Sequence, residues 1–473
     1  MVMSLVFQLA RRGLVDPDIW LHLRNAEFLF KTGSLPHFDM YSFTAAGHPW
    51  VAHEWGGEVA FYLAWRLGGL VGIKVLSLVL LEAIFGLLVY LCYRRSGNIK
   101  AAAVACGLAV LLSTVSFGPR TLLFGYIYML VLMLILERYR ETGSAPLWVI
   151  PPMFLVWINS HGSWSMGLII FGIHIAAGFV EGNWGLIEAT AWSRRQLKAL
   201  VGTFVASSAL LFVNPFGYRL VLYPLDMAFH QKLAVSHTAE WVSVDFHDVR
   251  GKIVILTIVG LLLCALISDR RWKLHEIGLV IFGLYSGLTY IRFLFFLGIV
   301  LAPLAARLLS FLPPYEPEID KPVLNTLILV CMVAVVVLSF PTRQELEQSI
   351  DEQFPTEILP YLKTHPLSGH VLNDYTWGGY LGWNDRNLQV FADSRADIFD
   401  YTGVLKDYLD VLSVNHPDRV LDKYNIRYVL FQADQPLSYV LSHDPKWKVD
   451  YQGKISVLFE RISQSQAQAE AAQ

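Results

Sequence analysis

Charge is scarce in this sequence: 16% of its 473 residues are Asp, Glu, Lys or Arg, against 55% hydrophobic. A chain of that composition lacks the polar surface that a soluble protein needs, so its bulk solvent is expected to be lipid. Nor is there an excess of basic residues. The formal net charge of −2 argues against nucleic acid as a partner, because neutralising phosphates requires a surplus of clustered Lys and Arg. Cysteine is nearly absent. Cys92, Cys106, Cys264 and Cys331 all fall inside apolar runs, and none forms a CxxC pair with metal or redox spacing, so they read as small core hydrophobes. Because the polar portions hold no cysteine, disulfides cannot report their compartment, and charge must do so instead. There is also no GxGxxG turn; Gly378 and Gly379 stand in WGG, which does not indicate a nucleotide site.

What the sequence does have is long apolar runs. Ten can be marked: Gly68 to Tyr93, Ala101 to Phe117, Thr121 to Leu136, Ala145 to Ile158, Trp164 to Val180, Ala199 to Val213, Ile253 to Ile267, Ile277 to Tyr290, Phe293 to Leu309 and Val323 to Phe340. Each is near the ~20 residues that a helix needs to cross the hydrocarbon layer, the shorter ones being candidates for tilted, broken or re-entrant segments. Alternate connections carry the positive charge: Arg94, Arg95 and Lys100; Arg138 and Arg140; Arg194, Arg195 and Lys198; Arg270, Arg271 and Lys273. That bias assigns them to the cytoplasm. The segment before Gly68, the turns at Gly118 to Arg120 and Asn159 to Ser163, and the loop from Asn214 to Lys252 then face outward. An even number of crossings places the region after Pro341 on the same outer side. Met1 to Ala10 is too short to span and reads as the stub of a first span, and a signal peptide fits poorly because no small-residue cleavage site follows.

The outer segments hold the chemistry. Asp16 to Lys31 has helical apolar spacing, with Trp20, Leu23 and Phe28 on a rough stripe, and predicts a helix along the membrane surface. Asp16 with Pro17 makes a suitable start, Asp18 and His22 share a face at i, i+4, and Gly33 ends the helix. A polar, aromatic loop leads to His53 and Glu54, which open a second amphipathic helix before the first clear span. Glu82 and His174 lie within spans and are expected to pair inside the bundle. After Pro341 the hydropathy drops and an α/β domain is predicted. Its helices fall near Pro355 to Lys363, Trp377 to Trp383, Val404 to Ser413 and Pro417 to Tyr424. Its strands fall at His370 to Asn373, Leu388 to Ala392, Arg427 to Gln432, Trp447 to Tyr451 and Ile455 to Glu460. The division expected is 1–341 for the membrane portion, with outer interfacial helices at 16–66, then 342–462 for the α/β domain and 463–473 for a disordered tail.

Six motifs carry a resemblance: DPDIWLHL (Asp16 to Leu23), PWVAHEW (Pro49 to Trp55), PRTLLF (Pro119 to Phe124), NSHG (Asn159 to Gly162), NDYTWGGYL (Asn373 to Leu381) and DSRAD (Asp393 to Asp397). Their order resembles the glycosyltransferase-C superfamily, and in particular a bacterial group of multi-spanning proteins with DPDxWWHL, PWVxHEW and a C-terminal NDYxWGGYL. Leu21 replaces the second Trp of that pattern, and PRTLLF inverts its usual Arg and Pro. The resemblance implies a polytopic helix bundle in the bacterial cytoplasmic membrane with an extracytoplasmic α/β domain. It also implies transfer of a sugar, with inversion, from a polyprenyl phosphate to an outer glycan, lipid or protein acceptor. Such a reaction needs a carboxylate as general base and cations to meet the departing phosphate.

By that resemblance Asp18 is the first choice for the base and Asp16 the second, with helix capping as the alternative duty of both. Arg24, Arg120 and Arg292 are candidates for the phosphate, Arg292 standing between apolar runs with no other charge nearby. His53 and Glu54 could orient the acceptor or, with His22 and His161, hold a divalent ion, although no spacing matches a closed zinc pattern. His161 has a helix-capping alternative. Trp377, Tyr380, Trp383, Asp374, Asp393 and Asp397 are candidates for binding glycan, Trp377 being favoured as core. Two rivals are a transporter of lipid-linked glycans, which would need polar groups near the midplane, and a noncatalytic scaffold in an envelope-polymer assembly.

Overall fold

The computed structural model describes residues 1–462 apart from Arg12, Val15, Asp269 and Ser310, so the expected disordered tail lies outside the described residues. Every one of the ten apolar runs is helical. Among the described residues, five helices are long and apolar enough to cross a membrane: Trp55–Ser96, Ile99–Ser116, Leu122–Thr142, Val249–Leu266 and Ile291–Leu308. Leu147–Ser160, Trp164–Ala176 and Leu274–Thr289 are shorter apolar helices. The chain divides into two compact units.

The first unit comprises Met1–Arg12, Gly72–Pro224 and Ala239–Pro341. Its centre is the helix Leu294–Leu308, buried almost throughout and packed on Ile99–Ser113. Small residues permit that approach: a Cβ on Gly298 would stand 3.2 Å from the Ala109 carbonyl oxygen. Toward the outside the pattern reverses. The helix Pro322–Leu338 is apolar and has no buried residue, Val323 and Leu338 being 86% and 85% exposed. Apolar surface of that extent is stable only against lipid. Cys331 stands on this exposed helix, so the expectation of four core cysteines holds for Cys92 and Cys106 and fails for Cys331. Two connections assigned by charge to one side also pair: strands β1 (Gly182–Trp184) and β2 (Ile187–Ala189) form a hairpin, and β3 (Trp272–Lys273) runs parallel to β2.

The second unit comprises Gly13–Val71, Leu225–Thr238 and Thr342–Gln473. Its sheet has the order β4 (His370–Asn373), β5 (Ile426–Gln432), β7 (Ser456–Arg461), β6 (Trp447–Gln452), with β4 parallel to β5 and the other pairs antiparallel. The strand expected at Leu388 to Ala392 does not join it. Val390 makes one isolated bridge to Ser42, and the Asn373 side chain satisfies the Phe391 amide at 2.7 Å and the Ala392 carbonyl at 2.8 Å. A side-chain amide thus replaces the ladder, which apolar alternation alone cannot signal. In the long helix Trp55–Ser96, Gly69 adopts φ 57°, ψ −137°, a conformation open to glycine, and separates the amphipathic start from the span.

Candidate active site

The helix Asp18–Thr32 begins at Pro17 and is closed by Gly33 in the left-handed conformation. Asp16 is buried, and its Oδ1 accepts the Asp18 amide at 3.0 Å, which ties this carboxylate to the free end of the helix. Asp18 follows on the first turn and is half-buried. One turn further, His22 stands between two acids: Nδ1 is 3.0 Å from Glu58 Oε1 and Nε2 is 3.4 Å from Glu54 Oε2. Burial alone would lower the pKa of this imidazole. The Glu58 hydrogen bond, with the charges of Glu54, Glu58 and Asp18, outweighs that and raises it to about 9. His22 is therefore held between the two carboxylates as an imidazolium with both nitrogens protonated. Asn25 Nδ2 also donates to Glu58 Oε1, at 3.0 Å, and His53 Nε2 lies 3.4 Å from Glu54 Oε1. His53 is likewise raised, the Glu54 hydrogen bond and charge overcoming the opposing effect of burial.

The C-terminal motifs belong to the same assembly. The helix Gly378–Asn384 packs along Asp18–Thr32, and its glycines make this possible. A Cβ on Gly379 would lie 3.4 Å from the Pro17 carbonyl oxygen and 3.7 Å from the Leu21 Cβ, while one on Gly382 would collide with the Arg24 guanidinium. Arg24 stacks over the Tyr41 ring at 4.4 Å and donates to the Arg386 carbonyl at 3.2 Å. Behind it, Arg395 is 5% exposed. It holds Asp393 through two bonds of 2.8 and 2.7 Å and Asp39 at 2.6 Å, with its plane 4.8 Å from the Trp50 ring centre. Burial would raise the Asp39 pKa, but Arg395, the Ser42 hydroxyl and the Tyr41 amide hold it below its usual value. Asp393 is thus bound to Arg395, and Asp374 caps the turn Tyr375–Trp377, accepting the Thr376 amide at 2.9 Å. Both carboxylates therefore have partners within the unit. Trp377 is core, its Nε1 donating to the Gln353 carbonyl at 2.8 Å. A cavity of about 580 Å³ opens beside the start of the Asp18–Thr32 helix, lined by Pro17, Phe354, Thr376, Gln432 and Lys454 among others.

Arg120, His161 and Arg292 stand in the other unit. Arg120 pairs with Glu240, a partner that the spacing did not suggest. His161 is buried and its Nδ1 accepts the Ser163 amide at 3.0 Å, the capping duty weighed for it. Arg292 lies 4.5 Å over the Trp241 ring, and among the described residues it forms no ion pair or hydrogen bond. Within a span, Glu82 does not pair as expected: its buried Oε2 has no hydrogen-bond partner among the described residues.

The residues missed from sequence are Asn25, Asp39, Tyr41, Glu58 and Arg395. Only Glu58 had a usable signal, since it stands i, i+4 from Glu54, the spacing that also relates His22 to Asp18. The Asp39, Arg395, Asp393 group joins positions more than 300 residues apart in the sequence, and no local pattern announces it.

No protein-family profile and no curated protein matches the chain. Solved structures do. The oligosaccharyltransferase of Archaeoglobus fulgidus, tethered with an acceptor peptide containing the NVT sequon, aligns with a TM-score of 0.54 at 13% identity over 98% of this chain and 74% of that one. ArnT from Cupriavidus metallidurans, bound to undecaprenyl phosphate, aligns at 0.51 and 14% over 98% and 97%. The chain shares the fold of these two proteins. The archaeal enzyme AglB, solved with an inhibitory peptide and a dolichol-phosphate, also aligns, at 0.53 and 12% over 92% of this chain and 69% of that one. At such identities the likeness is one of fold, that of multi-pass membrane proteins with a small sheet-bearing portion.

Proposed function

We propose that this protein is a membrane glycosyltransferase that moves a sugar from a polyprenyl-phosphate donor to an extracytoplasmic glycan, lipid or protein acceptor, with inversion. The observation that carries the reading is the gathering of four motifs around one helix start: DPDIWLHL, PWVAHEW, NDYTWGGYL and DSRAD all supply side chains to one unit, where Asp16 accepts the Asp18 amide. Asp18 is the general base that takes the acceptor proton. Asp16 fixes the helix end. His22, held by Glu54 and Glu58, keeps a positive charge one turn from Asp18. Of the cations considered for the departing phosphate, Arg120 pairs with Glu240, whereas Arg292 forms no ion pair among the described residues, which favours Arg292 as the candidate. The charge bias of the connections supports a bacterial cytoplasmic-membrane location with the catalytic face and the 342–462 portion outward.

The test is transfer from a panel of radiolabelled polyprenyl-phosphate sugars to membrane acceptors by the purified protein and by Asp18→Asn and Asp16→Asn. Loss of about 10²–10⁴-fold in turnover by Asp18→Asn, with folding intact, is expected for a general base. Equal transfer by all three proteins removes the mechanism, and saturable donor binding without turnover favours a lipid-linked-glycan transporter.

A further inference from the structure

The helices of the first unit bring together a second group of titratable side chains that the proposed transfer does not use. Glu137 comes from Leu122–Thr142, His174 from Trp164–Ala176 and His275 from Leu274–Thr289. All three are buried, the histidines at 0% and 1% exposure. His275 Nε2 lies 2.9 Å and His174 Nε2 3.7 Å from the same oxygen, Glu137 Oε1, and the three ligand-type atoms all lie within 4.8 Å of one another.

The protonation states are constrained by the neighbours. His174 Nδ1 is 3.0 Å from the Ile170 carbonyl, which can only accept, so Nδ1 carries the proton. In the neutral ring Nε2 is then a lone pair. It faces a carboxylate oxygen that also has only lone pairs to offer, and it has no hydrogen-bond partner. A fully buried nitrogen aimed at an anion needs a cation between them, either a second ring proton, as in His22, or a metal ion. The carbonyl on Nδ1 is the outer contact that metal-bound histidines commonly make. Glu137 is arranged in the same way: Oε1 faces the imidazoles while Oε2 is taken by Arg95.

We propose that Glu137, His174 and His275 form a binding site for a divalent transition-metal ion that ties these three helices together. Two imidazoles with one carboxylate favour a borderline ion such as Zn²⁺, Co²⁺ or Ni²⁺ over Mg²⁺ or Ca²⁺, which prefer all-oxygen ligands. Metal–ligand bonds of about 2.1 Å in a tetrahedral set place ligand atoms about 3.4 Å apart, a value bracketed by the 2.9 and 3.7 Å seen. Glu137 and Glu276 together balance only Arg95 and Arg307, and Arg140 lies beside His174, so the protein supplies no net counter-charge to a dication. The fourth ligand is therefore expected to be anionic, hydroxide or chloride. A cavity of about 170 Å³ is lined by Glu137 and Arg95 among others.

The experiment uses the full chain, purified through a tag without histidine, stripped with chelator and titrated with CoCl₂. Expected is one equivalent of saturable ligand-field absorption in the visible, bleached by Zn²⁺, with affinity reduced at least tenfold in His174→Phe and in Glu137→Gln. His275→Gln serves should His174→Phe not fold. Asp18→Asn should bind cobalt like the wild type, which separates this site from the transfer reaction. A folded wild-type protein that takes up no stoichiometric cobalt, or equal uptake by the folded variants, overturns the proposal.

Discussion

Raising the pH from 6.5 to 9 should remove a specific share of the stability of the second unit, and His22 is the reason. Its two nitrogens face Glu58 at 3.0 Å and Glu54 at 3.4 Å, an arrangement that requires the protonated ring. In the unfolded chain this histidine titrates near 6.5; folded, it titrates at about 9, because the bond to Glu58 and the surrounding negative charges more than offset the effect of burial. A folded pKa above the unfolded one stabilises the protein fully below pH 6.5. That contribution declines through the window from 6.5 to 9 and is gone above it. The interval corresponds to about 3 kcal/mol, at roughly 1.4 kcal/mol per pKa unit. Unfolding is followed across this range for the wild type and His22→Gln, and the difference between the two curves cancels the titrations they share. That difference should shrink by about 3 kcal/mol between the two pH values. Side-chain NMR of labelled histidine should show one ring titrating near 9. Parallel stability curves, or a His22 midpoint near 6.5, would refute the imidazolium bridge.

Substituting the paired glycines should give unequal results: Gly378→Ala drives its Cβ into the Ala392 carbonyl and to 2.8 Å from the Asp393 Cα, which should cost about 1–3 kcal/mol by thermal unfolding. Gly379→Ala meets nothing nearer than 3.4 Å and should stay within about 1 kcal/mol of the wild type. Arg395→Met leaves Asp39 and Asp393 buried without their shared cation and should destabilise by about 3–5 kcal/mol, measured in denaturant. Adding Asp39→Asn and Asp393→Asn to that variant should restore part of the loss, because neutral side chains no longer carry the buried charge.

Legibility followed the range of the signal. Helix ends written in neighbouring residues were readable: the start at Asp16 to Asp18 and the stop at Gly33 stand where caps and a left-handed glycine put them. The Leu388 to Ala392 strand was misread because its backbone bonds go to the Asn373 side chain and to the loop Tyr41–Phe43, partners that hydropathy does not encode. Arg120 was read as an uncommitted cation because Glu240 lies 120 positions away in the chain.

By itself the sequence determined the solvent of this protein and the set of helices, since the cost of placing charge in lipid restricts where apolar runs and basic connections can fall. The resemblance of its motifs marked Asp16 and Asp18. Only the tertiary structure decided which partners each charged group has. It made Asp16 a cap, turned His22 into a cation, gave Asp393 to Arg395, and brought Glu137, His174 and His275 to one buried point, because a side chain's protonation and role depend on neighbours that only folding brings within about 4 Å.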